Sequence, residues 1–194
     1  FLRRIRVKIK KITFENFRNL QKGELVADSG INVIYGDNAQ GKTNLLESVV
    51  YMGSGRSFRT QRAAELVKLG ADFGEISGSL YSQGREQSLR WLLFPASRPR
   101  QLFLNGVKKK TAGEISGVLQ TVLFCPEDLM VLKAGASARR KLGDSALCQL
   151  RPNYEAALTE YGKIVETKSR ILKDRFEDPR VTAILPEYNA RLCH

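Results

Sequence analysis

The chain has 194 residues, room for one domain and part of a second. Its 42% hydrophobic and 27% charged residues are those of a globular protein, and no stretch is long and apolar enough to span a bilayer. A net charge of +12 and a pI of about 9.8 point to a polyanionic partner, most often nucleic acid.

A membrane surface fits less well, because no basic amphipathic helix carries Trp and Phe along one face. Three scattered cysteines (Cys125, Cys148 and Cys193) without a C-x-x-C pair fit free thiols in a reducing cytoplasm. The only histidine is His194, so a metal cluster is not expected. The start lacks both an initiator Met and a secretory signal. The end at Arg191-Leu192-Cys193-His194 carries no turn or tail signal, and a piece of a longer, cytoplasmic protein is expected.

In chain order, Ile5, Val7 and Ile9 alternate with Arg4, Arg6, Lys8 and Lys10, and the phase then shifts before Ile12 and Phe14. This predicts a strand with one apolar and one basic face. The shift marks either a bulge or a join between a vector-derived start and the native chain. Gly23 to Leu25 begins a second strand, and residues 28–30 are a turn. Residues 31–35, Ile-Asn-Val-Ile-Tyr, have strand composition, and residues 44–51 are apolar at helical spacing.

Between that strand and that helix lies Gly36-Asp37-Asn38-Ala39-Gln40-Gly41-Lys42-Thr43, which fits the phosphate-binding pattern G-x-x-x-x-G-K-[ST] in its confirming context. The glycines allow a tight turn that brings successive N–H groups onto phosphate oxygens. The helix start adds free N–H groups and the positive end of its dipole. Lys42 is expected to reach the β- and γ-phosphates of a nucleotide, and the Thr43 hydroxyl to hold Mg²⁺.

The helix is expected to end near Gly53-Ser54-Gly55. A basic loop follows at residues 56–60, then a short helix over 61–69 closed by Gly70. Residues 73–81, 87–94 and 101–105 read as an antiparallel meander, with Asn105-Gly106 a hairpin signal. Lys108, Lys109 and Lys110 lie just beyond the last turn, where lysines either guard a sheet edge or meet a polyanion. A short helix is expected over 111–119, a buried strand over 121–125 and a helical piece over 129–133. Helices follow over 138–150, 153–176 and 181–192, the kind of arm or lid that accompanies a nucleotide domain. Candidate contacts to nucleic-acid phosphates are Arg56, Arg59, Lys108, Lys109, Lys110, Lys163, Lys168, Arg170 and Lys173.

Several blocks in this order carry a resemblance to a known family. They are Phe17-Arg18-Asn19, the loop Gly-Asp-Asn-Ala-Gln-Gly-Lys-Thr-Asn followed by Leu-Leu-Glu, and Gly55-Arg56-Ser57-Phe58-Arg59-Thr60. Phe124-Cys125-Pro126-Glu127-Asp128-Leu129 and Arg139-Arg140-Lys141 complete the set. The chain resembles the N-terminal half of the RecF family, bacterial DNA-repair ATPases of the ABC/SMC class. The resemblance implies an α/β fold: an ABC-type P-loop lobe with an antiparallel β-subdomain and a helical lid arm, here truncated. It divides the chain into the first part of the lobe (1–70), a β-subdomain insert (71–110), a return to the lobe with a Q-loop-like segment (111–136) and an incomplete arm (137–194).

The same resemblance implies ATP and Mg²⁺ as cofactors, DNA as partner, and ATP-driven head-to-tail dimerisation of the whole protein. RecR and RecO are implied as further partners, in recombinational repair and the SOS response. Arg18 and Asn19 match residues placed near the nucleotide, and Glu127 falls at the Q-loop, next to Mg²⁺. Gly143 departs from the family's Arg-Phe-Leu-Asp segment and costs about 1 kcal/mol in a helix. The 194 residues contain no LSGGQ-like signature and no convincing Walker B strand, since Pro126 stands between residues 121–125 and Glu127-Asp128. ATP hydrolysis by these residues alone is therefore expected to be nearly absent. The rival reading is a P-loop phosphotransferase acting on a small substrate, with Arg139 and Arg140 over the phosphates; a GTPase lacks its Asn-Lys-x-Asp motif here.

Overall fold

The structure, a computed structural model, describes residues 7–95, 98–125, 135–151, 153–174 and 179–193. Six antiparallel strands form one sheet: β1 (Lys8–Phe17), β2 (Leu20–Val26), β3 (Gly74–Ser82), β4 (Arg85–Leu93), β5 (Gln101–Leu104) and β6 (Val107–Lys109). Their spatial order is β2-β1-β3-β4-β5-β6. The phase shift in the first strand is a bulge, because the register of β1 against β3 slips between Ile9 and Lys11. The Asn105-Gly106 hairpin forms as expected, with both residues in the left-handed region at φ 51° and 78°.

Alternation decides which face of the sheet is dry. Ile12, Ile76, Leu80, Leu89, Trp91, Leu93 and Leu102 share one face and are almost fully buried. The helix α1 (Lys42–Ser54) covers it through Tyr51 and Met52. Trp91 meets Tyr51 edge to face at 5.3 Å and donates its indole N–H to the Met52 carbonyl at 3.1 Å. Arg100 lies over Trp91 and donates to the Tyr51 hydroxyl at 2.8 Å, while burial pushes the Tyr51 phenol up. α1 ends at Gly55 in the left-handed region (φ 63°), and a Cβ there would stand 2.6 Å from the Trp91 ring.

The other face is polar and carries both signs of charge. Register places Lys8, Lys11, Lys22, Arg90 and Lys108 there together with Glu15, Glu24, Glu75 and Glu86, and Lys10 reaches the same face at the bulge. Arg90 grips Glu75 in a bidentate pair at 2.8 and 2.9 Å, Lys11 meets Glu24 at 2.5 Å, and Lys10 pairs with Glu86. Four of these cations have carboxylate partners, so the face holds only a small part of the chain's +12 charge.

Four expected elements come out differently. Residues 31–35 form no strand, and Ile31, Val33 and Tyr35 are 91%, 76% and 89% exposed. Residues 121–125 likewise form no strand, with Val122 wholly exposed. Both runs have strand composition, but neither has a ladder neighbour among the described residues, and composition supplies a preference rather than a partner. The helix expected over 61–69 shrinks to a 3-10 turn (Ala63–Leu66), because the next residues pair with β1: Lys68 N–H donates to Asn16, and Arg18 N–H to Leu66, each at 2.8 Å. The helix expected over 111–119 is only a 3-10 turn (Ala112–Ile115), cut short where Gly117 turns left-handed at φ 79°. Residues 126–133, with Glu127 and the expected helical piece, lie outside the described residues.

α2 (Ala136–Leu150) runs unbroken through Gly143. Its end is fixed by Ser116, which donates to the Cys148 carbonyl at 2.9 Å, and by Gln149, which accepts from Thr121 N–H at 2.8 Å. The chain divides into two compact units, residues 1–152 and 153–194. The second contains α3 (Tyr154–Asp174), a 3-10 turn (Pro179–Ile184) and α4 (Leu185–Cys193), with Ile164 and Ile171 of α3 buried. No described helix is long and apolar enough to cross a membrane.

Candidate functional site

The loop from Gly36 to Gly41 is built by backbone conformations that favour glycine. Gly36 and Gly41 lie at φ 142° and 99°, and Ala39, an L-residue, is held at φ 65°. Gly41 is required twice over, since a Cβ would come within 2.8 Å of Leu20 and 2.9 Å of Asn19 Oδ1. Asp37, Asn38, Ala39 and Gln40 are exposed.

Gly41 is the N-cap of α1, which has no side-chain cap and no acidic residue in its first turn. Its first amides are thus left for an anion from outside the helix. Lys42 folds back over the loop, donating to the carbonyls of Gly36 and Asp37 at 2.7 and 2.6 Å. Thr43 stands exposed on the same first turn. Glycine backbone, uncapped helix start, lysine and hydroxyl together fit a polyphosphate with its divalent cation.

Arg18 and Asn19 enter this neighbourhood from the turn between β1 and β2, where Asn16 and Arg18 both take positive φ (51° and 55°). Asn19 steadies the loop: its amide donates to the Ala39 carbonyl at 3.1 Å and accepts from Asn44 at 2.7 Å. Arg18 is held by carboxylate and carbonyl oxygens. Its guanidinium forks onto the two carboxylate oxygens of Glu47 at 3.0 and 2.8 Å, and a third donor reaches the Glu65 carbonyl at 3.0 Å.

Glu47 was not legible as a site residue. It is fully buried in α1, yet it gathers Arg18, the Ser57 hydroxyl and Arg59, whose guanidinium lies 3.5 Å away. Arg59 also donates to Asn44 Oδ1 at 2.7 Å, so the 55–60 loop is tied to the start of α1. The available signal was a carboxylate four residues beyond Thr43 in an otherwise apolar helical run.

The other basic candidates are dispersed. Arg56 is exposed beyond the end of α1. Lys108 sits on the polar face of β6, a terminal strand of the sheet; Lys109 lies 3.9 Å from Glu114, and Lys110 N–H donates to Glu114 at 2.7 Å. Hydrogen bonds from the Thr111 and Lys110 amides hold the Glu114 carboxyl below its usual range. Lys163, Lys168, Arg170 and Lys173 belong to α3 in the second unit, and all but Lys168 are exposed. Among the described residues no cluster of His, Cys, Asp and Glu could hold a metal by itself.

A family model described as "AAA domain" matches residues 11–121. The chain is 36% identical over 190 residues to the DNA replication and repair protein RecF of Thermoanaerobacter sp. (strain X514), covering 95% of this chain and 52% of that protein. Two solved structures of the recombination mediator protein RecF, described as RecF-ATPrS and RecF-ATP in the RecFOR pathway, match at TM-scores of 0.90 and 0.83. Each is 35% identical and covers 96% of this chain; the shares of those chains are 50% and 52%. An SMC ATPase structure, 21% identical with a TM-score of 0.58 over 71% of this chain and 98% of its own, shares the fold alone. The chain spans about half the length of the curated relatives it matches. These matches give the P-loop ABC-type α/β fold, with its antiparallel sheet and helices, to a chain that belongs to the AAA domain family and is similar to the N-terminal half of RecF.

Proposed function

We propose that the chain is the nucleotide-gripping half of an ATP-dependent DNA-binding protein of replication and recombinational repair. The observation that carries this is the loop from Gly36 to Thr43: a left-handed glycine turn running into a helix start that no side chain caps. The loop and first-turn amides cradle the β- and γ-phosphates, and Lys42 leaves its two carbonyl partners to neutralise them. Thr43 would hold Mg²⁺ through its hydroxyl, with Glu127 as a further candidate. Asn19 keeps Ala39 in its strained conformation, which fixes the width of the cradle. When bound, Mg²⁺ would supply charge neutralisation to the phosphates.

Nothing in this set positions a water for attack, so these residues bind and orient rather than hydrolyse. In the whole protein, ATP binding drives head-to-tail dimerisation on DNA, in the SOS response and with RecR and RecO. DNA is held through its phosphates by Arg56, Lys108, Lys110 and the exposed cations of α3, while the ion-paired Lys11 and Arg90 of the sheet contribute little.

Titration with a fluorescent ATP analogue tests the reading. We expect saturable binding that Lys42→Ala weakens at least 100-fold with the melting temperature unchanged, and no steady hydrolysis above background. Duplex DNA should tighten nucleotide binding. Equal binding by wild type and Lys42→Ala overturns the nucleotide site, and indifference to DNA favours a phosphotransferase.

A further inference from the structure

We infer that Glu47 is a positioning residue of the nucleotide site: one buried carboxylate that locks Arg18 and Arg59, and with them the walls on either side of the phosphate loop, to the helix that follows it. The inference rests on the nucleotide reading and adds the element that shapes the site.

Glu47 is 0% exposed, and a charge in that environment persists only when paired and hydrogen-bonded. Its partners come from three separate stretches of chain. Arg18 belongs to the turn between β1 and β2, Ser57 and Arg59 to the loop after α1, and Glu47 itself to α1, four residues beyond Thr43. Four residues along a helix place Glu47 directly below Thr43 on the same side.

A chain of contacts then runs from the carboxylate to the loop. Arg59 lies against Glu47 and donates to Asn44; Asn44 donates to Asn19; Asn19 donates to the carbonyl of Ala39, the strained residue of the loop. Every link ends on a group within the relay, so a shift at Glu47 moves both arginines and reaches Ala39. The two arginines are held unequally. Arg18 is bidentate at 2.8 and 3.0 Å and only 18% exposed, whereas Arg59 has one contact at 3.5 Å and is 47% exposed. Arg18 is the anchor, and Arg59 is the side that a change at Glu47 frees first.

Glu47→Gln tests this with little change of volume. A neutral amide cannot balance two guanidinium groups, and it presents donors where the arginines need acceptors. We expect the variant to keep its far-UV spectrum and to bind the fluorescent ATP analogue at least 10-fold more weakly. Tryptic cleavage after Arg59 should speed up at least fivefold, while cleavage after Arg85 is unchanged. Arg59→Gln in the Glu47→Gln background should add less than twofold to the loss of binding. Unchanged nucleotide affinity with unchanged cleavage at Arg59 overturns the inference. So does a fully additive loss from the two substitutions. If Glu47→Gln unfolds, Arg59→Gln alone decides: wild-type affinity in that variant overturns the proposal. Failure of wild type to bind the analogue speaks against the nucleotide site itself, and the cleavage readout, which needs no nucleotide, still tests Glu47.

Discussion

The sheet and the phosphate loop sit side by side in the first unit and are held by opposite means. The sheet stands on burial: Trp91, Leu93, Ile76 and Leu80 are shut away, and Trp91 fits between α1 and Arg100. The loop stands mainly on polar contacts, with its own residues 37–40 exposed and its shape set by Asn19, Asn44 and Lys42. Burial yields a rigid platform that chemistry can be mounted on. Polar contacts yield a shape that a charged ligand can enter by exchanging one hydrogen bond for another.

Substitutions should therefore separate stability from binding. Trp91→Ala removes the core's largest side chain, an indole 2% exposed, and should cost about 3–5 kcal/mol of stability, read by denaturant unfolding. Its effect on nucleotide affinity in the residual folded fraction should be small. Asn19→Ala does the reverse. It deletes the brace on Ala39, costs about 1 kcal/mol of stability and weakens the ATP analogue 5- to 10-fold. An Asn19→Ala variant that unfolds like Trp91→Ala would erase the distinction.

DNA affinity should fall with salt at a log–log slope of about −0.9 per phosphate neutralised. Lys108→Ala should reduce that slope by about one, and Lys11→Ala, which removes a lysine already paired with Glu24, should leave it alone. The smallest effect concerns acid. The folded carboxyl of Glu114 is depressed, so its contribution is present above its unfolded pKa, about 4.3, and is lost as pH falls through the lower folded value. Glu114→Gln should flatten the pH dependence of melting below about pH 4.5 without touching nucleotide binding.

Much of this contrast was legible in the sequence. The alternation in β3 and β4, the Asn-Gly turn and the G-x-x-x-x-G-K-T pattern are local rules, and each locates its element without knowledge of the rest. What stayed hidden depends on partners distant in the chain. Glu47 reads as one polar residue in an apolar helix until the fold brings Arg18 and Arg59 to it from 29 residues before and 12 residues after, as their numbers show. The pairing of Arg18 with that carboxylate likewise appears only in the fold. Residues 31–35 failed in the opposite direction, since a β-branched run satisfies every local rule for a strand and still needs a neighbour.

Those unpaired runs have a consequence for anyone handling the protein. Ile31, Val33 and Tyr35, with Val122 and Phe124, expose greasy side chains along stretches that pair with no strand of the sheet. Such stretches are sticky by nature: they invite docking by any extended polypeptide that offers a matching row of amides. These two exposed apolar runs favour association, against which the +12 charge acts.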